Sequence, residues 1–244
     1  MRYRRFLFFH IPKSGGSSIE KMLLRDNWRL NFVIDMIFRE SNFSLWVVSS
    51  MRNRIWRNFL FYLVSIFMSD MRHLWGIRGG KVLQHLTYMD IYKNQKLYLK
   101  RNIKSYVRFC IVRNPYDRMI SCYHFLGEGM RFGEFIDWVY MELDGYYRLK
   151  RDPFVVILPQ WEFVTNENGE NGMNEILRFE NLKSDFRVFK RKYNIRCKSL
   201  PHINKRTRMT DDISAYFTRQ LEEKVYHMYY WDFKMFGYKR YNFN

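Results

Sequence analysis

One lysine, three serines and two glycines crowd into Lys13-Ser14-Gly15-Gly16-Ser17-Ser18. Glycines let the main chain approach a ligand, and the N–H groups at a helix start face an anion, so the stretch suits a phosphate or sulfate ester. Its order departs from the nucleoside-triphosphatase loop, G-x-x-x-x-G-K-[ST], where the lysine follows the last glycine. Here Lys13 precedes both glycines.

A second set of residues lies a hundred positions on, in Arg113-Asn-Pro-Tyr-Asp-Arg-Met-Ile-Ser121. Arg113 leaves an apolar run, and Ser121 follows two helical turns later. A guanidinium and a hydroxyl converging above the end of a sheet are suited to gripping a second phosphate. No group of His, Cys and Asp has metal-ligand spacing.

Strand, turn and helix must bring these residues together. Phe6 to Ile11 is an apolar run of strand length, and Ser18 to Leu24 has helical spacing. Tyr106 to Val112 reads as a further strand, and Tyr116 to Leu126 as a helix with Pro115 in its first turn. The period predicts helices over Asn27–Glu40, Arg52–Met68, Phe132–Leu143, Leu182–Tyr193 and Ile213–Tyr230, with an aromatic tail from Asp232 to Tyr238. Short strands are expected at Leu45–Ser49 and Val155–Leu158, and a turn at Gly76–Gly80. Thr87 can cap a helix with Asp90 three residues on, which puts His85 at a strand-to-helix junction. Trp161–Thr165 and Glu175–Phe179 flank two Asn-Gly pairs, the signature of a β-hairpin. Alternating strands and helices point to an α/β fold with a parallel sheet covered on both faces.

Composition sets the outer limits. The 244 residues are enough for one large domain with a core, and 47% hydrophobic and 19% aromatic residues exclude general disorder. Lysine and arginine number 42 against 24 acidic residues, a formal charge of +18 that favours an anionic partner. The basic residues are spread throughout and no nucleic-acid motif occurs, so nucleic acid is not the expected partner. Cys110, Cys122 and Cys197 lack paired spacing and read as buried free thiols. The apolar stretch Asn58–Met68 is 11 residues long, against the roughly 20 that a spanning helix needs. With no secretory signal in view, the coded chain reads as soluble and cytoplasmic.

Together the two chemical stretches resemble the sulfotransferases that use 3′-phosphoadenosine 5′-phosphosulfate (PAPS). That family's loop, P-K-[ST]-G-[GT]-[ST]-[ST], is matched by Pro12 to Ser18. Its second signature, R-x-P-x-x-R-x-x-S-x-[YF], is matched by Arg113, Pro115, Arg118, Ser121 and Tyr123. The phrases FFHIPKSGGSS, CIVRNPYDRMIS, PQWEF, ILRFENLKSDF, LPHIN and YYWDFKMFGY resemble the Golgi-type carbohydrate branch that contains the heparan and uronyl 2-O-sulfotransferases. Residues 25–83 match nothing secure, and the membrane anchor and stem usual in that branch are missing from the sequence.

The resemblance implies a single sulfotransferase domain over residues 1–244, a three-layer parallel sheet flanked by helices of the P-loop type. It implies in-line transfer of the sulfuryl group from PAPS to an acceptor hydroxyl, most naturally on a glycan, acidic or not, with adenosine 3′,5′-bisphosphate released and no metal required. Lys13 then neutralises the leaving oxygen. The N–H groups of Gly15, Gly16, Ser17 and Ser18 and the hydroxyls of Ser14, Ser17 and Ser18 hold the 5′-phosphosulfate. Arg113 and Ser121 hold the 3′-phosphate.

The acceptor hydroxyl needs a base, and histidine suits neutral pH. Of His10, His73, His85, His124, His202 and His227, His85 is the choice, because it precedes the 3′-phosphate strand as the catalytic histidine does in the 2-O branch. His10, beside the loop, can help to organise the site; Glu20 and Asp90 are carboxylate alternatives. Asn204 and Gln160 are further candidates, on the cofactor and acceptor sides, and Lys205, Arg206 and Arg208 form a basic loop. A nucleotide or small-molecule kinase, and a non-catalytic anion or nucleic-acid binder, remain as alternative readings.

Overall fold

The computed structural model describes residues 6–16, 19, 85–99, 101–151, 154–195 and 213–241. The elements expected at 27–40, 45–49, 52–68 and 76–80, and the basic loop at 198–209, lie outside them.

Three parallel strands run in the order β1 (Phe6–Phe9), β2 (Val107–Val112) and β3 (Glu175–Arg178). Phe6 aligns with Val107 in one pair and Phe109 with Glu175 in the other. Side chains alternate across a strand, and here both faces are apolar. Leu7, Phe9, Cys110 and Val112 enter one core, while Phe8, Phe109, Ile111 and Leu177 enter the other. Burying one such side chain contributes about 1.5–3 kcal/mol. The whole scale of strand propensity spans about 1 kcal/mol, so burial on both faces fixes these strands and their register.

The larger core receives α1 (Tyr88–Lys93), α3 (Pro115–Leu126), α4 (Phe132–Leu149), α5 (Gln160–Val164), α7 (Arg219–Met228) and α8 (Tyr230–Phe236), with the short α2 (Gln95–Tyr98) following α1. The smaller core receives Phe186 and Phe189 of α6 (Leu182–Tyr193), together with Ile19. Helices therefore cover both faces of a parallel sheet, the three-layer α/β arrangement expected from the sequence. Cys110 and Cys122 are buried free thiols.

Local chemistry starts the helices that flank the site. Asn114 caps α3, its side chain accepting from the Tyr116 N–H at 3.0 Å, with Pro115 in the first turn where a missing N–H costs nothing. Thr87 caps α1 in a complete capping box: its hydroxyl accepts from the Asp90 N–H, and the Asp90 carboxylate accepts from the Thr87 N–H, both at 3.1 Å.

Four expectations are corrected. Residues 161–164 are helical, and Glu175–Arg178 pairs in parallel with β2, so there is no hairpin between them. The Asn-Gly turn does form, with the Asn166 side chain accepting from the N–H groups of Asn168 and Glu170, but it closes on a single bridge between Thr165 and Asn171. Residues 155–158 make turns rather than a strand. The C-terminal helix breaks, because the Thr218 hydroxyl starts α7 by accepting from the Leu221 N–H, and α8 restarts at Tyr230. His85 and Leu86 are not in a strand, so His85 leads directly into the α1 cap.

Candidate active site

The loop after β1 and the end of β2 lie side by side. Pro12 to Gly15 form a turn, and Gly16 and Ile19 carry helical backbone. Gly15 takes φ +87°, a conformation that side chains disfavour, and a Cβ there would fall 2.5 Å from Cδ2 of Phe179. A Cβ on Gly16 would fall 2.3 Å from Cδ2 of His10. Lys13 itself is left-handed, at φ +63°. For a residue with a side chain this costs about 1–2 kcal/mol, and the surroundings must hold it.

Two arginines do so. Arg118, fully buried on α3, donates from Nε to the Pro12 carbonyl at 3.0 Å and from Nη2 to the Val156 carbonyl at 2.9 Å. Arg113 donates from Nη1 to the Lys13 carbonyl at 3.3 Å, and its guanidinium lies 4.4 Å from the centroid of the Phe179 ring. The Lys13 ammonium stands 4.3 Å over the ring of Phe125. Such cation–π contacts contribute about 0.5–2 kcal/mol, which holds both cations in place.

Ser121 is half-buried near the middle of α3. Arg118, Ser121, Cys122 and Phe125 fall at helical spacing on one face. Arg118 grips the loop carbonyl, and Phe125 carries Lys13. Ser121 therefore shares the face of α3 that meets the loop.

Ser14 departs from its expected role. It is fully buried, and its hydroxyl donates to Oε1 of Gln160 at 3.2 Å. A hydroxyl has one proton to give, so this side chain anchors the loop from beneath. Gln160 also departs from its expected place on the acceptor side: it is fully buried under the loop. Its Oε1 accepts from the Arg113 N–H and its Nε2 donates to the Arg113 carbonyl, each at 2.8 Å. Below it sits Asp232 of α8, whose carboxylate accepts from the N–H groups of Gln160 at 3.0 Å and Trp161 at 2.8 Å. Burial pushes the Asp232 carboxyl up to about 6, against the lowering effects of Arg118 and these hydrogen bonds.

His85 joins the loop from the other side. Its Nδ1 lies 3.0 Å from the His10 carbonyl oxygen, and the two rings meet edge to face with centroids 4.8 Å apart. A carbonyl only accepts, so Nδ1 carries a proton, and in the neutral ring the lone pair is on Nε2. His10 stacks on Phe8 at the end of β1. Asp90 Oδ2 accepts from the Thr87 N–H and hydroxyl. His124 and His227 are exposed on α3 and α7, and His124 bonds the Tyr216 hydroxyl at 2.8 Å.

The structure thus links Lys13, Ser14, Gly15, Gly16, Arg113 and His85, with Ser121 on the adjoining helix face. Ser17, Ser18, Glu20, His73, His202, Asn204, Lys205, Arg206 and Arg208 lie outside the described residues. Sequence reading missed Phe125, Phe179 and Asp232, and did not foresee that Arg118 would act from beneath the loop. Only Arg118 had a signal, its place in the R-x-P-x-x-R spacing. Among the described residues no group of three or more His, Cys, Asp or Glu is placed to hold a metal ion, and no helix is long and apolar enough to cross a membrane.

A family model described as the sulfotransferase family matches residues 2–239. No curated protein and no solved structure matches the chain.

Proposed function

The chain belongs to the sulfotransferase family, and on that premise we propose that it moves the sulfuryl group of PAPS to a hydroxyl of a carbohydrate acceptor, with His85 as the base. We read residues 1–244 as one domain carrying this activity. The observation that carries the reading is the meeting of a lysine-first glycine loop with an arginine from a neighbouring strand end, joined by the 3.3 Å bond from Arg113 to the Lys13 carbonyl.

The residues present suit a ligand with two anionic ends. Gly15 and Gly16 let the loop main chain pack against Phe179 and His10, where a Cβ would clash, and the Lys13 ammonium is held over the Phe125 ring. The planar fork of Arg113 favours phosphate geometry. PAPS, when bound, supplies the sulfuryl group and a phosphate leaving group for in-line displacement. Lys13 brings a positive charge to the loop, where it stabilises negative charge as it develops. Arg113 and Ser121 hold the 3′-phosphate, and the main chain of Gly15 to Ser18 holds the 5′ end with the hydroxyls of Ser17 and Ser18. His85 keeps its Nδ1 proton on the His10 carbonyl and takes the acceptor proton at Nε2. A glycan acceptor is supported by the sequence phrases shared with the carbohydrate branch, from FFHIPKSGGSS to YYWDFKMFGY.

Calorimetric titration with adenosine 3′,5′-bisphosphate in the presence of a chelator tests the site. The wild-type protein should bind, and Arg113→Ala should weaken binding about 10- to 100-fold, the worth of a charge-assisted contact. Undiminished affinity in Arg113→Ala would contradict the 3′-phosphate assignment. Binding that depends on a divalent cation would favour a kinase.

A further inference from the structure

We propose that Gln160 is a positioning residue that sets the spacing between the two phosphate-binding segments, so that the site selects a nucleotide phosphorylated at both 3′ and 5′ positions over either monophosphate. This rests on the reading of the site given above.

A primary amide has two N–H donors and an oxygen that accepts twice. Gln160 uses all four. Its Oε1 accepts from the Ser14 hydroxyl at 3.2 Å and the Arg113 N–H at 2.8 Å; its Nε2 donates to the Arg113 carbonyl at 2.8 Å and to Oδ2 of Asp232 at 3.3 Å. One fully buried side chain therefore holds the glycine loop by its serine and the end of β2 by both main-chain groups of Arg113. Arg113 and, from α3, Arg118 also reach the loop, at the carbonyls of Lys13 and Pro12.

The clamp is held from outside the two segments it joins. Asp232, on α8, also accepts from the N–H groups of Gln160 and Trp161, so the start of α5 cannot follow the loop if the loop shifts. Two subsites fixed by a third element act as one: a ligand that engages the first needs no further ordering of the protein to engage the second. That advantage exists only for a ligand carrying both phosphates. Glutamate has no donor for the Arg113 carbonyl, and asparagine is one methylene too short to span from Asp232 to Ser14.

The test is titration of the full chain with adenosine 3′,5′-bisphosphate, adenosine 3′-monophosphate and adenosine 5′-monophosphate, alongside thermal melting. Gln160→Met keeps the length and removes the four bonds; Gln160→Asn keeps an amide and serves if the methionine variant does not fold. Bisphosphate affinity is expected to fall about 10- to 100-fold, and each monophosphate by less than about threefold. A purely structural role would lower the melting temperature and leave the preference for the bisphosphate intact, and that result overturns the proposal. A wild-type protein with no preference for the bisphosphate would overturn the reading of the site itself. A preference kept by both wild type and variants overturns the role of Gln160 alone.

Discussion

The ring of His85 is held by the main chain of His10, with Nδ1 3.0 Å from the carbonyl oxygen. The contact fixes the tautomer, because the proton must sit on the nitrogen that faces an acceptor, and it ties His85 to the end of the strand that carries the glycine loop.

On the proposed reading, His85 as the base acts on turnover and not on nucleotide binding. His85→Ala should lower the rate of sulfuryl transfer by roughly 10²- to 10⁴-fold, the usual contribution of general base catalysis, while the affinity for adenosine 3′,5′-bisphosphate stays within a factor of about two. Steady-state kinetics with parallel calorimetry separates the two. Full turnover in the variant would remove His85 from the role of base.

Gly16 tests how closely the loop and His10 are packed. Its backbone is helical, so propensity alone makes Gly16→Ala stabilising by about 1 kcal/mol. The added Cβ, however, would fall 2.3 Å from Cδ2 and 2.5 Å from Nε2 of the His10 ring. Overpacking of this kind costs about 1–3 kcal/mol, so the clash should win. We expect a lower melting temperature and weaker nucleotide binding; a more stable variant would show that the loop is looser than described.

Asp232 sets a pH dependence whose sign follows from its raised pKa. Its carboxyl titrates at about 6 in the fold, from an ordinary 3.8, because burial disfavours the charge. Between those values the folded protein binds more protons than the unfolded one, so this group's contribution to stability is present at low pH and is lost as pH rises toward 6. The expected size is on the order of 2–3 kcal/mol. Melting curves of wild type and Asp232→Asn from pH 4 to 7 should show the wild type's relative stability falling as pH rises. A difference that does not change with pH would mean that Asp232 is not held as described.

The legible parts of the chain were those whose signal is local or periodic. The Phe6–Phe9 and Val107–Val112 strands are unbroken apolar runs, and α3 is announced by Asn114-Pro115. The Lys13 loop and Arg113 were legible because their residue types carry chemistry on their own. Pairing between distant segments has no local signal: the Asn-Gly turn is real, but Glu175–Arg178 pairs with β2, where Leu177 is buried. The clamping role of Gln160, which the sequence offered only as an acceptor-side candidate, and any role for Asp232 were illegible for the same reason. Each is one polar residue in a short helix, and its importance comes from contacts with Ser14, Arg113 and Trp161 far along the chain.

The central claim concerns Lys13 and the group it serves. Wild-type protein incubated with PAPS carrying labelled sulfate and a panel of glycans should yield a labelled glycan, detected by mass spectrometry, and Lys13→Ala should abolish the label while remaining folded. Transfer that persists in Lys13→Ala, or no transfer to any glycan by a wild-type protein that binds adenosine 3′,5′-bisphosphate, would contradict the account.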